Sequence, residues 1–262
     1  MNKLDSHFRE ILSKGSVSLL AKVLGVAANF ALQVILGRTL GPEGVGLYYL
    51  SLTIITFAAL LSRLGLDYNL TRLVASGVAS DTGPNVQRYF GFAIRVGVIS
   101  SVLMSALLFS VAPFLTDFVF DKPELLAPLR MMTLGLPALA LSILVARALQ
   151  GMSRPGEAIM LEFSITPLVA CIFVYMLVAK FEVSGAALAY CIGIFATLVI
   201  SFWLWRRRSR EHVVSVENAA CEPIGVFVGN SLPYLGVLVL QQIAQVLPLL
   251  ILGSLSTSAE VG

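Results

Sequence analysis

The residues that could do chemistry in this chain are charged and amide side chains inside long apolar runs. In the first run, Ser18, Lys22, Gly25, Asn29 and Gln33 recur at spacings of four, three, four and four residues. This spacing puts them on one face of a helix. In a helix that crosses a bilayer, a polar face must lie against protein or water, and an ionisable group there indicates a functional site.

A second polar face follows on the next apolar run, at Tyr49, Thr53, Thr56, Arg63 and Asp67. Arg63 and Asp67 are one helical turn apart, so their side chains are able to form an ion pair. If they neutralise each other, the charge of this run is cancelled, and other groups must supply any net charge at this depth.

Several ionisable residues fall at a similar depth in their apolar runs. At 1.5 Å per residue, Lys22 lies roughly 12 Å from the cytoplasmic end of its run, and Arg95 lies roughly 10 Å from the cytoplasmic end of its own. Arg63, Asp67 and Glu162 are expected in the same layer. With Arg63 and Asp67 paired, Lys22 and Arg95 outnumber Glu162. We therefore predict a cationic, water-filled cavity that receives a phosphate or pyrophosphate group, because arginine forks and lysine bind those oxygens.

The alternative for each cation is that its long side chain extends to the lipid head groups. For Arg95 the two interpretations are evenly balanced, and Arg130 is placed near the opposite face of the membrane. We interpret Glu162 as the partner of Arg95 or Lys22, or else as a carboxylate that couples transport to protons or sodium. Three further cations are expected to extend to the interface: Arg72, Arg147 and Arg154.

The composition indicates a membrane protein, since 57% of the residues are hydrophobic and only 13% are charged, against about 25% charged in soluble domains. We expect an all-α polytopic fold, because backbone groups in lipid must be satisfied within each segment. Seven runs approach or exceed the bilayer-crossing length of about 20 residues. They are 16–37, 46–70, 89–116, 125–150, 157–180, 183–205 and 224–253.

These runs predict a domain organisation in four parts. Residues 1–15 form a cytoplasmic amphipathic tail, 16–205 a bundle of six transmembrane helices, 206–223 a cytoplasmic linker, and 224–262 the first helix of a second bundle. With the N-terminus in the cytoplasm, eleven lysines and arginines lie on the inner side and three on the outer side. The excess of positive charge on the inner side supports that orientation.

A short repeat suggests that the two bundles are related. At an offset of 216 residues, Ile35–Gly37 and Val45–Gly46 match Ile251–Gly253 and Val261–Gly262, and Asn29 aligns with Gln245. Two bundles related by an axis along the membrane normal are a recurring transporter architecture. We therefore expect the chain to be the first part of a longer protein, ending just before an eighth span.

Several function classes are not supported by the sequence. The three cysteines and two histidines show no metal-ligand spacing, and the net charge of +3 is too scattered to indicate nucleic-acid binding. The glycine-rich turn GPEGVG lacks the Lys-Ser/Thr of a phosphate-binding loop. We therefore expect no enzymatic activity and no cofactor.

Three motifs resemble the bacterial polysaccharide biosynthesis membrane proteins, the O-antigen-type flippases of the multidrug, oligosaccharidyl-lipid and polysaccharide exporter (MOP) superfamily. They are LGRTLGPEGVGLYYLSLTIITFAALLSRLGLDYNLTRLVA at 36–75, ARALQGMSRPGEA at 146–158 and TSAEVG at 257–262. The resemblance extends over essentially the whole chain. The family has twelve to fourteen spans, whereas seven are expected here.

The resemblance implies a transporter in the bacterial cytoplasmic membrane. Such a protein flips an isoprenoid-pyrophosphate-linked oligosaccharide for surface polysaccharide synthesis by alternating access of two bundles. Lys22, Arg63 and Arg95 would hold the pyrophosphate, while Asn29, Gln33 and Gln245 would bind sugar hydroxyls. The implied partners are this lipid-linked substrate, membrane lipid, and polysaccharide polymerase or ligase machinery. Two alternatives stay open: a multidrug exporter of the same superfamily, which the cation Lys22 disfavours, and a non-transporting scaffold of a polysaccharide assembly complex.

Overall fold

The structure, a computed structural model, describes the backbone of residues 2–79, 83–210 and 224–255. It describes the side chains of residues 15–79, 86–210 and 225–244. The side chains of the N-terminal tail and of Gln245, most of the predicted linker, and the repeat residues Ile251–Gly262 lie outside this part. Within the described ranges, all regular elements are helices.

Eight α-helices follow one another along the described parts of the chain. They are α1 (Asn2–Ser62), α2 (Leu66–Ala79), α3 (Gly83–Phe114), α4 (Leu126–Gly151), α5 (Pro155–Ile159), α6 (Ile165–Ser209), α7 (Ile224–Gly229) and α8 (Leu232–Leu255). Two π-helical turns, Leu115–Val119 and Met160–Ser164, continue α3 and α5, and a 3₁₀ turn at Pro123–Leu125 precedes α4.

The two longest helices each contain a sharp kink. In α1 the kink is at Gly41, with φ 67° and ψ 178°, and Pro42 follows it. In α6 the kink is at Glu182, with φ 50° and ψ −129°, a conformation that only glycine adopts without strain. A Cβ added to Gly185 would collide with the carbonyl oxygen of Leu177, so the chain doubles back tightly there. Each of these helices therefore has two arms: 2–40 and 42–62 in α1, and 165–181 and 183–209 in α6.

The predicted span 46–70 is not a continuous helix. It breaks between α1 and α2, where Leu64 and Gly65 adopt left-handed conformations with φ 52° and 73°. The break leaves the Ser62 carbonyl free of its helical donor, and the Ser100 hydroxyl of α3 donates to it at 2.6 Å. The segment then continues as α2 to Ala79, nine residues beyond the predicted end.

Within the described residues, five helical stretches are long and apolar enough to cross a membrane. They are Gly15–Ser62, Val86–Val119, Pro123–Gly151, Pro155–Ser209 and Gly225–Ala244. The chain is thus an all-α, multi-pass membrane protein. The second arm of α6 ends in the basic run Arg206–Arg208, and Arg208 is ion-paired with Glu157, close in sequence to Arg154. The Arg147 carbonyl accepts a hydrogen bond from the Thr71 hydroxyl, next to Arg72. These arginines therefore lie at one end of the helices, named here the basic end.

Helix α4 lies at the centre of the molecule and contacts α1, α2, α3 and α6. At the basic end, the Phe90 ring of α3 stacks on Trp205 of α6 with centroids 3.7 Å apart. At the opposite end, Leu47, Ala112 and Leu125 form a separate buried cluster with Leu129. Different apolar contacts therefore hold the helices together at the two ends of the bundle.

Helix α7 is anchored in the first part of the chain. Phe227 is fully buried, and its ring stacks on Tyr89 of α3 at 5.9 Å. The amide nitrogen of Asn69 in α2 donates to the Phe227 carbonyl at 3.0 Å and to the Ser231 hydroxyl at 2.9 Å. The break between α7 and α8 thereby lies directly against the break between α1 and α2.

Candidate functional site

The polar face of the first arm of α1 borders the π-helical turn Met160–Ser164. Asn29 Nδ2 donates to the Gly25 carbonyl at 2.9 Å and to the Phe163 carbonyl at 3.3 Å. A Cβ on Gly25 would lie 2.9 Å from that same Phe163 oxygen, so glycine permits the close approach. The Ser164 hydroxyl donates back to the Ala21 carbonyl at 2.7 Å. In a π turn the backbone hydrogen bonds join residues five apart rather than four. Carbonyl oxygens of this turn, such as that of Phe163, are therefore able to accept hydrogen bonds from α1.

The two predicted polar faces adjoin each other across the Gly41 kink. The side chains of Gln33 in the first arm and Tyr49 in the second arm lie close enough to interact. Further along the second arm, the hydroxyls of Thr53 and Thr56 donate to the carbonyls of Tyr49 and Leu52, each at 2.8 Å. Each hydroxyl hydrogen is therefore bonded within its own helix, and each hydroxyl oxygen can still accept a hydrogen bond.

Arg63 and Asp67 form the ion pair that their spacing allows. Arg63 Nε lies 2.9 Å from both carboxylate oxygens, and the two side chains are only 8% and 4% exposed. The pair spans the break at Leu64–Gly65, joining the end of α1 to the first turn of α2. Its charges cancel, so Arg63 is committed to Asp67 in this conformation.

Glu162 is also paired, but its partner is Arg147 rather than Arg95 or Lys22. Arg147 Nη2 lies 2.7 Å from Glu162 Oε1, and Arg147 Nη1 donates to Gln150 at 2.9 Å. The turn after α4 reverses the chain, which brings these two positions to the same level. Arg147 was expected to extend to the head groups; in the structure its guanidinium pairs with a carboxylate while its side chain stays 32% exposed.

Lys22 and Arg95 form no ion pair with any residue whose side chain the structure describes, and both are exposed. Among the described side chains, the predicted site residues thus comprise two ion pairs and two cations without an ion-pair partner. By their helical spacing, Gln33 and Asn29 lie on the same face of α1 as Lys22. On that face, the Lys22 ammonium can attract an anion, and two amide groups lie on the same side of the helix.

Hydrogen bonds to the π turn were not anticipated from the sequence. Ser164 and the Phe163 carbonyl carry them, and no side-chain pattern signals a π turn in advance. Arg147 was also missed as a site residue, because its pairing with Glu162 depends on the chain reversal at the Arg154-Pro155 turn.

Replacing Asn29 with alanine is expected to lower the free energy of unfolding by about 1 kcal/mol, because one hydrogen bond between helices is lost and the Phe163 carbonyl loses a donor. Thermal unfolding of the purified protein measures this change. Thr53→Val serves as a control, since the Thr53 hydroxyl donates only within its own helix. Equal destabilisation by both variants would contradict a bridging role for Asn29.

The comparisons with known proteins agree with this fold. Residues 11–262 match the family described as polysaccharide biosynthesis protein. Stage V sporulation protein B of Bacillus subtilis is 22% identical over 222 residues, which cover 80% of this chain and 43% of that protein. The chain therefore spans less than half the length of this relative.

Two solved transporters share the architecture. One is a multidrug resistance MATE family transporter of the MOP superfamily in an outward-facing conformation, with a TM-score of 0.67 and 18% identity over 76% of this chain and 45% of that one. The other is a MOP superfamily transporter from Pyrococcus furiosus described by the reverse polarity of its binding pocket, with a TM-score of 0.67 and 17% identity over 91% of this chain and 54% of that one.

At these identities the structural likeness shows the fold alone. The family match, in contrast, extends over nearly the whole sequence. The chain belongs to the polysaccharide biosynthesis protein family.

Proposed function

We propose that this chain forms part of a transporter that flips a lipid-linked oligosaccharide across the bacterial cytoplasmic membrane for surface polysaccharide synthesis. The carrier lipid is an isoprenoid pyrophosphate, and movement occurs by alternating access of two helix bundles. The observation that carries the proposal is the pair of unneutralised cations, Lys22 and Arg95, in the apolar helices of a polysaccharide biosynthesis family member.

The kinks at Gly41 and Glu182 support the proposed architecture. An unbroken helix of 61 residues, the length of α1, would extend about 90 Å at 1.5 Å per residue, three times the bilayer core of about 30 Å. We assign each kink to a turn outside the cytoplasm. The first bundle then has six spans within 16–205, and α8 begins a second bundle after the linker 206–223. The basic end faces the cytoplasm in this orientation, with the N-terminus inside.

Lys22 and Arg95 would bind the pyrophosphate. A charge without a protein partner inside an apolar helix is costly, and an anionic substrate would relieve that cost while bound. Asn29, Gln33 and Gln245 would offer amide groups to sugar hydroxyls. In this scheme the pairs Arg63–Asp67 and Arg147–Glu162 hold the helices in register and leave the net positive charge to Lys22 and Arg95.

A multidrug exporter is the other candidate within this fold. Cationic drugs require acidic groups, yet Asp67 and Glu162 are both neutralised by arginines. The relative from Pyrococcus furiosus, described by a binding pocket of reverse polarity, is a precedent for pockets of different charge on one architecture. The charge balance of the described residues therefore favours an anionic substrate.

The variants Lys22→Ala and Arg95→Ala, made at the chromosomal locus, test the proposal. Each is expected to reduce export of surface polysaccharide by about 10- to 150-fold, because a hydrogen bond to a charged group contributes about 1.5–3 kcal/mol. Lys180→Ala is the matched control, as Lys180 lies beside the Glu182 kink at the opposite end. Accumulation of lipid-linked oligosaccharide in the inner leaflet distinguishes a transport defect from a synthesis defect.

Unchanged export with both Lys22→Ala and Arg95→Ala would overturn the anion-binding proposal. If deletion of the gene nevertheless abolished polymer assembly, the non-transporting scaffold would be the better interpretation. Protein levels in the membrane must match the wild type in each variant, so that loss of folding is not mistaken for loss of transport.

A further inference from the structure

Arg130 lies in an unusual setting at the end of the bundle opposite the basic end. It occupies the second turn of α4, and its guanidinium carbon lies 4.9 Å from the centre of the Phe109 ring of α3. A cation over an aromatic face is attracted by the ring electrons. The ring therefore packs against one face of the guanidinium. It offers no acceptor to the N–H groups, which point outward in the plane of the guanidinium.

The Arg130 guanidinium has an unsatisfied donor. Its Nε atom is buried and has no hydrogen-bond partner among the residues whose side chains the structure describes. Within the part of the chain whose side chains are described, Arg130 also forms no ion pair. A buried donor without an acceptor is destabilising, and an unpaired arginine in a membrane helix adds to that penalty. The pattern leaves an acceptor to be supplied from outside the described part of the chain.

The surroundings of Arg130 face the lipid. Leu134, one helical turn further along α4, is 64% exposed, and Phe109 is 41% exposed. Residues four apart lie on the same helix face, so Arg130 and Leu134 share an outward-facing surface. Arg130 follows Pro123 by seven residues, roughly 10 Å along the helix axis, which leaves the head-group level within reach of its extended side chain.

We propose that Arg130 and Phe109 form a binding site for the phosphate group of a lipid in the leaflet opposite the basic end. The guanidinium fork binds the phosphate oxygens, the Phe109 ring holds the fork in position, and the lipid chain lies along Leu134. The phosphate belongs either to a phospholipid or to an isoprenoid carrier. This site is separate from the Lys22–Arg95 layer, so its failure would leave the proposed transport function standing.

The test measures lipid binding by the purified, delipidated protein. Phosphatidylglycerol, a polyprenyl monophosphate and diacylglycerol, which has no phosphate, are titrated separately while the melting temperature is followed. We expect at least one phosphate lipid to stabilise the wild type and diacylglycerol not to do so. Arg130→Gln is expected to weaken that binding by about tenfold or more. The response to the two phosphate lipids identifies the source of the phosphate.

Arg38→Gln is the matched control, because Arg38 is an exposed cation near the same end without a ring beneath it. Phe109→Leu keeps apolar volume and removes the ring, so it should weaken binding less than Arg130→Gln; it also carries the test if Arg130→Gln does not fold. Equal binding by the wild type, Arg130→Gln and Phe109→Leu would overturn the proposal. Equal losses in Arg38→Gln and Arg130→Gln would also overturn it, as they indicate nonspecific attraction.

Discussion

Replacement of Arg63 by methionine is expected to lower the free energy of unfolding by about 3–5 kcal/mol, because it leaves the Asp67 carboxylate buried without a counter-ion. Asp67 is only 4% exposed, so water cannot replace the lost partner. The loss is measured by unfolding in mixed micelles and by the melting temperature.

The companion variants separate a structural role of Arg63 from a role in binding substrate. Replacing both residues, Arg63→Met with Asp67→Leu, should recover most of the stability, since two apolar groups of similar volume replace a buried pair at little cost. If the double variant is stable and exports polysaccharide normally, Arg63 acts only through Asp67. If it is stable but inactive, Arg63 also contacts the substrate. A double variant as unstable as Arg63→Met alone would contradict the pairing argument.

Gly65→Ala is expected to lower the free energy of unfolding by about 2–5 kcal/mol, the sum of left-handed strain and overpacking. Gly65 has φ 73°, and an added Cβ would collide with the Ser231 carbonyl oxygen and lie 2.6 Å from the Leu235 nitrogen. Both neighbours are backbone atoms, which cannot rotate away. The variant should therefore separate α8 from the break between α1 and α2.

Gly91→Ala provides the control for this prediction. Gly91 lies within α3, and a Cβ there would meet nothing within 4 Å. Alanine is favoured over glycine inside a helix by roughly 0.5–1 kcal/mol, so this variant should be as stable as the wild type or more so. Protease accessibility of the α7–α8 segment reports the separation directly, and unchanged protection in Gly65→Ala would show that the contact adapts.

The sequence predicted the features that depend on local spacing. The four-residue interval between Arg63 and Asp67 was sufficient for the ion pair, which is confirmed. The Gly41-Pro42 turn and the apolar runs were sufficient for the all-α membrane class. The polar face of α1 was also found by its periodicity, although its role in binding substrate stays a proposal.

The features that the sequence did not predict depend on tertiary packing. Glu162 meets Arg147 because a turn reverses the chain, and no local rule selects that partner over Arg95 or Lys22. The break at Leu64 places a leucine in a left-handed conformation, which its residue type disfavours. It is maintained by the Ser100 hydroxyl and by the approach of α8, both distant in sequence.

The anchoring of α7 has a consequence for the biosynthesis of the protein. The ribosome makes Asn69 and Tyr89 long before Phe227 and Ser231, the groups that they contact in the folded chain. Until then the Asn69 amide lacks these acceptors. The early helices therefore gain these contacts only after residue 231 has been made.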